Sequence, residues 1–342
     1  MAYRSIHRQQ GLSLVELMVG MAIGLVLLLG ISEVFLGNSA TFRTQEGIAR
    51  TQESGRFAIQ KIASSVRSAG FFGCGGLKSV PPNVIASSPP SGLTTITTDT
   101  PITGQNNVAS GTTIGSMALV VGTDTITLRG SGADGVSLTG SAVTSQQSDI
   151  PVSSAYNTLL EGDYVLITDC ATADLFRATE NTTSSVVKHA ITSGEVTFNN
   201  SATLTKQLGA DTIIVKPYIE TFFVADSGRD NYQGDNVISL YMQDLTGTVS
   251  ELVEGISNLQ VLYGVDVDDD GEAERYMDAG QITTASNWNG VVSARISLLV
   301  DSIESALQTP SSYTFQGTTT TPTDKLLRKE FTGLFVLRNR TP

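Results

Sequence analysis

The apolar run from Leu12 to about Leu36 constrains this chain more than any other feature. At roughly 20 residues or more it is long enough to span about 30 Å of hydrocarbon as a helix. A short polar leader, residues 1–11, precedes it and carries Arg4, His7 and Arg8. A secretory signal peptide places its small-residue cleavage site after the apolar stretch. Here the small residue, Gly11, stands before it, so cleavage between Gly11 and Leu12 would leave the apolar helix as the mature N-terminus. Glu16 would then lie one helical turn in. An acid inside a membrane helix costs about 2.5–3.5 kcal/mol on insertion scales, so a carboxylate kept there implies a task.

No proline occurs from Leu12 to Ser68, which predicts one unbroken helix. At 1.5 Å per residue it would be a rod of about 85 Å. Its first half is apolar on all sides, and the Gly20 to Gly24 spacing would let a neighbouring helix come close. In the second half Phe42, Ile48, Phe57, Ile59, Ile62 and Val66 alternate with Gln, Arg, Glu and Ser. That pattern gives one face to bury against a sheet. Gly70, Gly73, Gly75 and Gly76 end the helix. Residues 79–116, rich in Ser, Thr, Pro and Gly, read as a long exposed excursion, and 311–323 as a polar loop. β-Branched runs predict strands at 117–122, 125–129, 164–168, 185–189, 212–224, 237–242, 259–265, 291–300 and 331–337. Without helix-length segments between them, the sheets should be mainly antiparallel. The expected fold is α+β: a leader at 1–11, a transmembrane or filament-core half-helix at 12–36, an amphipathic half-helix at 37–68, and a β-rich head at 69–342.

The chain has 33 acidic and 21 basic residues, a formal charge of -12. General electrostatic capture of nucleic acid needs a basic face, so no nucleic-acid partner is expected. Arg4 and Arg8 ahead of the apolar run place the leader in the cytoplasm and the remainder outside. Two cysteines, Cys74 and Cys170, in a chain that crosses to an oxidising side suggest one disulfide; two buried thiols are the alternative.

Catalytic chemistry is not indicated. The Gly130 to Gly135 stretch fits a dinucleotide fingerprint in spacing, but Val136-Ser137-Leu138-Thr139-Gly140 follows it where a helix should begin. It reads as a turn-rich hairpin loop. After loss of the leader, His189 is the remaining histidine, expected on the surface or half-buried. No cofactor is expected, apart from a weak Ca²⁺ site at Asp266, Asp268, Asp270 and Glu272. Alternate carboxylates before Gly271 suit a hard cation, yet Met277 stands where such a loop wants its bidentate Glu. An acidic β-turn would use the same residues.

Gly11, Leu12 and Glu16, followed by the apolar run, resemble the class III leader of type IV pilins, with Leu12 where most carry Phe. Gln52-Glu53-Ser54-Gly55-Arg56-Phe57-Ala58, Arg67-Ser68-Ala69-Gly70-Phe71-Phe72-Gly73-Cys74 and the stretch 162–176 resemble PilW-type minor pilins. So do Tyr263-Gly264-Val265-Asp266 and Leu337-Arg338-Asn339. The resemblance implies a long spine helix on a β-rich head, cleavage by prepilin peptidase, and N-methylation of Leu12. It also implies that Glu16 meets a neighbouring subunit's N-terminal ammonium during assembly. The implied role is a minor pilin that joins other minor pilins to initiate a type IV pilus at its tip. Expected partners are the major pilin, the inner-membrane assembly platform and a tip adhesin. The alternatives are a type II secretion pseudopilin, or an adhesin that uses pilin export and binds through loops 79–116 and 311–323.

Overall fold

The computed structural model describes residues 13–73, 82–94, 100–132, 134–139, 149–153, 156, 158–182, 185–209 and 211–340. Helix α1 (Leu14–Ser68) runs for 55 residues without a break. Its start is closed by a reciprocal pair. The Ser13 hydroxyl accepts the Glu16 N–H at 3.2 Å, and the Glu16 carboxylate accepts the Ser13 N–H at 3.0 Å. Two N–H groups that a helix start leaves bare are thereby satisfied. At the far end Gly70 turns the chain with a φ of 79°, a region that a side chain disfavours.

The head covers only a stripe of the second half of α1. The buried residues include Ala40, Gly47, Thr51, Gly55, Ala58, Ile62 and Val66, at helical spacing. Most are small. A Cβ on Gly55 would stand 2.5 Å from the Phe331 ring, and one on Gly47 would stand 2.5 Å from the Ala306 Cβ. Glycine therefore sets how closely helix and head approach. Polar ties reinforce the stripe: Thr44 donates to the Ala306 carbonyl at 2.6 Å, Lys61 pairs with Glu220 at 2.8 Å, and Asn339 donates to the Ala69 carbonyl at 3.1 Å.

Two sheets receive that stripe. The strands that matter below are, in chain order, β1 (Asn83–Val84), β2 (Ile102–Gln105), β3 (Thr125–Ser131), β4 (Val136–Ser137), β5 (Tyr164–Thr168) and β6 (Ala173–Arg177). They continue with β7 (Ile213–Val215), β8 (Pro217–Asp230), β9 (Asn236–Gln243), β10 (Val249–Glu254), β11 (Ile256–Val265) and β12 (Arg275–Met277). The last four are β13 (Val291–Asp301), β14 (Tyr313–Phe315), β15 (Thr318–Thr320) and β16 (Arg328–Val336). One sheet has the order β10-β9-β8-β3-β2 and the other β12-β11-β13-β16. Both are antiparallel throughout. Ile62 and Val66 of α1 share a core with Ile126, Phe222, Leu259, Ile296 and Leu298 from these strands. Asp124 joins the sheets at their seam. Its N–H donates to the Leu259 carbonyl at 2.8 Å, and its carboxylate accepts N–H groups of Asn107 and Val261, each at 2.8 Å.

A third sheet, β1-β6-β5-β7-β4, hangs from the first. The chain leaves β3 at Ser131 and returns at Pro217, which pairs with that same Ser131, while Gly132 N–H donates to the Lys216 carbonyl at 3.2 Å. The excursion between those ends has its own core around Ile150, Val165, Phe176, Val187 and Ile214. Where it is described, the stretch 130–135 is thus a passage from one sheet to another and not the hairpin loop predicted from its turn residues. β1 pairs with β6 in parallel, the exception to the antiparallel pattern among the pairs around it.

Three expectations need correction. Residues 79–116 are not an exposed excursion where they are described. Ile85, Leu93, Ile102 and Val108 are buried, and β2 pairs with β3. The apolar residues there are too sparse to show a period, but each fills a separate gap. The stretch 311–323 contains a hairpin, β14 with β15, turned at Gln316 and Gly317 with φ of 47° and 78°. His189 is buried, with its ring 5.3 Å from Phe176 and its Nε2 3.1 Å from the Ala202 carbonyl.

Candidate functional site

The first half of α1 is the part of the molecule left unfinished. Leu14, Leu25, Leu29, Ile31 and Phe35 are each more than 60% exposed, and the most apolar window of the helix has none of its residues buried in the protein. Among the described residues it is the helix long and apolar enough to cross a membrane. A surface this apolar on all sides needs lipid or other helices around it. Gly20, Gly24 and Gly30 have nothing within 4 Å of where a Cβ would stand, so another backbone can approach there.

Glu16 sits at the start of this segment. Gly11 and Leu12 lie outside the described residues. Glu16 caps its own helix through Ser13, which places a negative charge at the positive end of the peptide dipoles. The carboxylate has an internal partner before any other subunit is present.

The acidic loop between β11 and β12 draws four carboxylates together. Asp266, Asp268, Asp270 and Glu274 each offer an oxygen within 4.8 Å of the others. The predicted fourth member, Glu272, is not in this group. Its N–H closes a turn on Asp270 at 2.8 Å, whereas Glu274 is held at the loop base by its N–H bond to the Val265 carbonyl at 3.1 Å. Part of the acceptor capacity is already engaged. Asp266 takes the N–H groups of Asp269 and Gly271 at 2.7 and 2.8 Å, and Glu274 takes that of Val267 at 2.6 Å. These bonds would shape the loop with or without a cation. Met277 lies in β12, paired with Tyr263, and is not a ligand.

Cys170 follows β5 in a tight turn, with a φ of 70°, where Asp169 accepts the N–H groups of Ala171 and Thr172 at 3.2 and 2.9 Å. Cys74 lies outside the described residues. Among the described residues there is no free cysteine.

A capped apolar helix, half unburied, with an antiparallel head packed on its other half, fits the α+β pilin fold. Residues 6–32 match the prokaryotic N-terminal methylation motif. Residues 221–339 match PilW, the type IV pilus-assembly protein W. Together the two matches support a PilW-type type IV pilin. The PilW match begins inside β8 and takes in β9 to β16, so the third sheet and both cysteine segments lie outside it. No curated protein and no solved structure gives a significant match.

Proposed function

We propose that this pilin is a minor subunit that joins other minor pilins in a complex initiating type IV pilus assembly at the pilus tip. The observation that carries the reading is the pairing of an unburied apolar half-helix, bearing Glu16 near its start, with a head that carries the PilW match. Prepilin peptidase would cut between Gly11 and Leu12 and methylate Leu12, freeing an ammonium group beside Ser13. In the membrane the head faces the periplasm, and in the filament it faces the medium. Partners are the other minor pilins, the major pilin, the inner-membrane assembly platform and a tip adhesin. The PilW match supports a pilus over a secretion system.

Glu16 is where assembly and membrane energetics meet. A carboxylate drawn into the apolar core is costly, and a neighbour's N-terminal ammonium recovers much of that cost. Until then the Ser13 capping pair holds it at the helix end. With Glu16→Ala as the sole copy, the head should fold and the chain should insert, while pilus number falls sharply. Unchanged pilus number would remove Glu16 from assembly. N-terminal mass analysis should find methylated Leu12; cleavage on the far side of the helix, near Asn38, would sink the pilin processing reading.

A further inference from the structure

A cleft of about 940 Å³ opens between α1 and the base of the head, lined by Glu46, Thr51 and Glu53 on the helix and by Asp230, Tyr232 and Glu304 across from them. Four features of it point to an occupant.

The first is unbalanced charge. Glu46 is paired with Arg50 at 2.7 Å, Glu254 with Arg229 at 3.4 Å, and Asp301 with Arg328 at 3.1 Å. Glu53, Asp230 and Glu304 have no cation in ion-pair contact among the described residues, so the lining stays negative even with Arg43 at its edge. The second is Thr51. It is 2% exposed, and its hydroxyl has no hydrogen-bond partner among the described residues, although it lines this cleft. A buried hydroxyl left unpaired is costly. The third is Tyr232, which is 94% exposed at the mouth, its N–H turned toward the Glu304 carboxylate at 3.3 Å. The fourth is position. The cleft begins just above the unburied apolar half of α1, so helices packed around that half would rise alongside the mouth.

We propose that this cleft receives a Lys or Arg side chain from the spine helix of an adjacent pilin subunit. Glu53, Asp230 and Glu304 take its charge, Thr51 supplies a hydroxyl at the cleft wall, and Tyr232 covers the stem. The apolar lower spine supplies adhesion between subunits, and the cleft fixes the register at which neighbours stop. This rests on the pilin reading above.

The test uses the full chain expressed in pili. Combined Glu53→Lys and Asp230→Lys should lower its amount in sheared pili, relative to the major pilin, by about tenfold, as expected when like charges face across an interface. The denaturant midpoint of the detergent-solubilised chain should stay at the wild-type value, because both side chains are exposed. In parallel, Tyr232 is replaced by a photoreactive phenylalanine analogue and the crosslinked peptides are sequenced. Crosslinks to a Lys- or Arg-bearing spine segment of another pilin support the proposal, even if the double variant misfolds. Crosslinks to lipid alone, to other heads alone, or within the same chain overturn it, as does undiminished incorporation of the folded double variant. Wild-type chain missing from pili would instead defeat the pilin reading.

Discussion

Asp124 sits where two sheets meet, and it is 2% exposed. Burial pushes its pKa up to about 6, against the lowering effect of the Asn107 and Val261 N–H groups, and Asp278 adds to the rise. A carboxyl raised in the folded state holds its proton better than in the unfolded chain. Its stabilising effect is therefore complete below its ordinary value near 4 and is lost as pH rises through about 6. The shift corresponds to at most about 3 kcal/mol. Asp301 is also raised by burial, despite the Arg328 charge beside it. Asp169 runs the other way. Burial raises it, but Lys206 and the Thr172 N–H outweigh burial and hold it at about 2. Comparing wild type with Asp124→Asn isolates the first effect. The advantage of wild type in denaturant unfolding should shrink between about pH 4 and pH 7, and a constant difference would show that Asp124 does not titrate there. Gly55 makes a separate test of the stripe. Gly55→Ala drives a methyl into the Phe331 ring and should destabilise the full chain by about 1–3 kcal/mol, read from the denaturant midpoint. This requirement was hidden in the sequence, because a helix glycine there looks like any other weak helix former.

Elements were legible where their pattern was long. The proline-free stretch predicted a helix to Ser68, and α1 ends there. The β-branched run at 164–168 is β5 to the residue, and 291–300 falls within β13. β6 and β10 escaped notice. β6 is Ala-Asp-Leu-Phe-Arg with almost every residue buried, and β10 is charged on an edge, so neither shows alternation. The carboxylate loop was located by its spacing, but the fourth carboxylate near the other three is Glu274 and not the expected Glu272, because the Glu274 N–H bond to the Val265 carbonyl fixes it at the loop base. If calcium fills this group, millimolar calcium should raise the melting temperature of the full chain. Combining Asp268→Asn with Asp270→Asn should abolish that rise. No calcorimetric heat and no melting shift at several millimolar would leave the loop as a turn held by the Asp266 and Glu274 backbone bonds.

At the scale of the molecule, the head divides between strands that continue the PilW pattern and a third sheet inserted between two paired strands. That β5 and its neighbours form a separate sheet was illegible, because the closing pair, Ser131 with Pro217, is distant in sequence. The disulfide from Cys170 to Cys74 that the sequence suggests would tie this sheet to the chain just beyond α1. Chain entropy assigns such a long loop about 4–5 kcal/mol. Alkylation of unreduced periplasmic protein should label neither cysteine, and two labelled thiols would refute the pairing. The stripe on α1 has a mechanical consequence. From Ala40 to Val66 it extends about 39 Å along the helix, with Thr44, Lys61 and Ala69 tied at intervals. Tension applied along the spine acts parallel to that stripe, so its contacts resist together in shear. A head fixed at one point would peel away bond by bond; this one has to slide as a unit before it comes off.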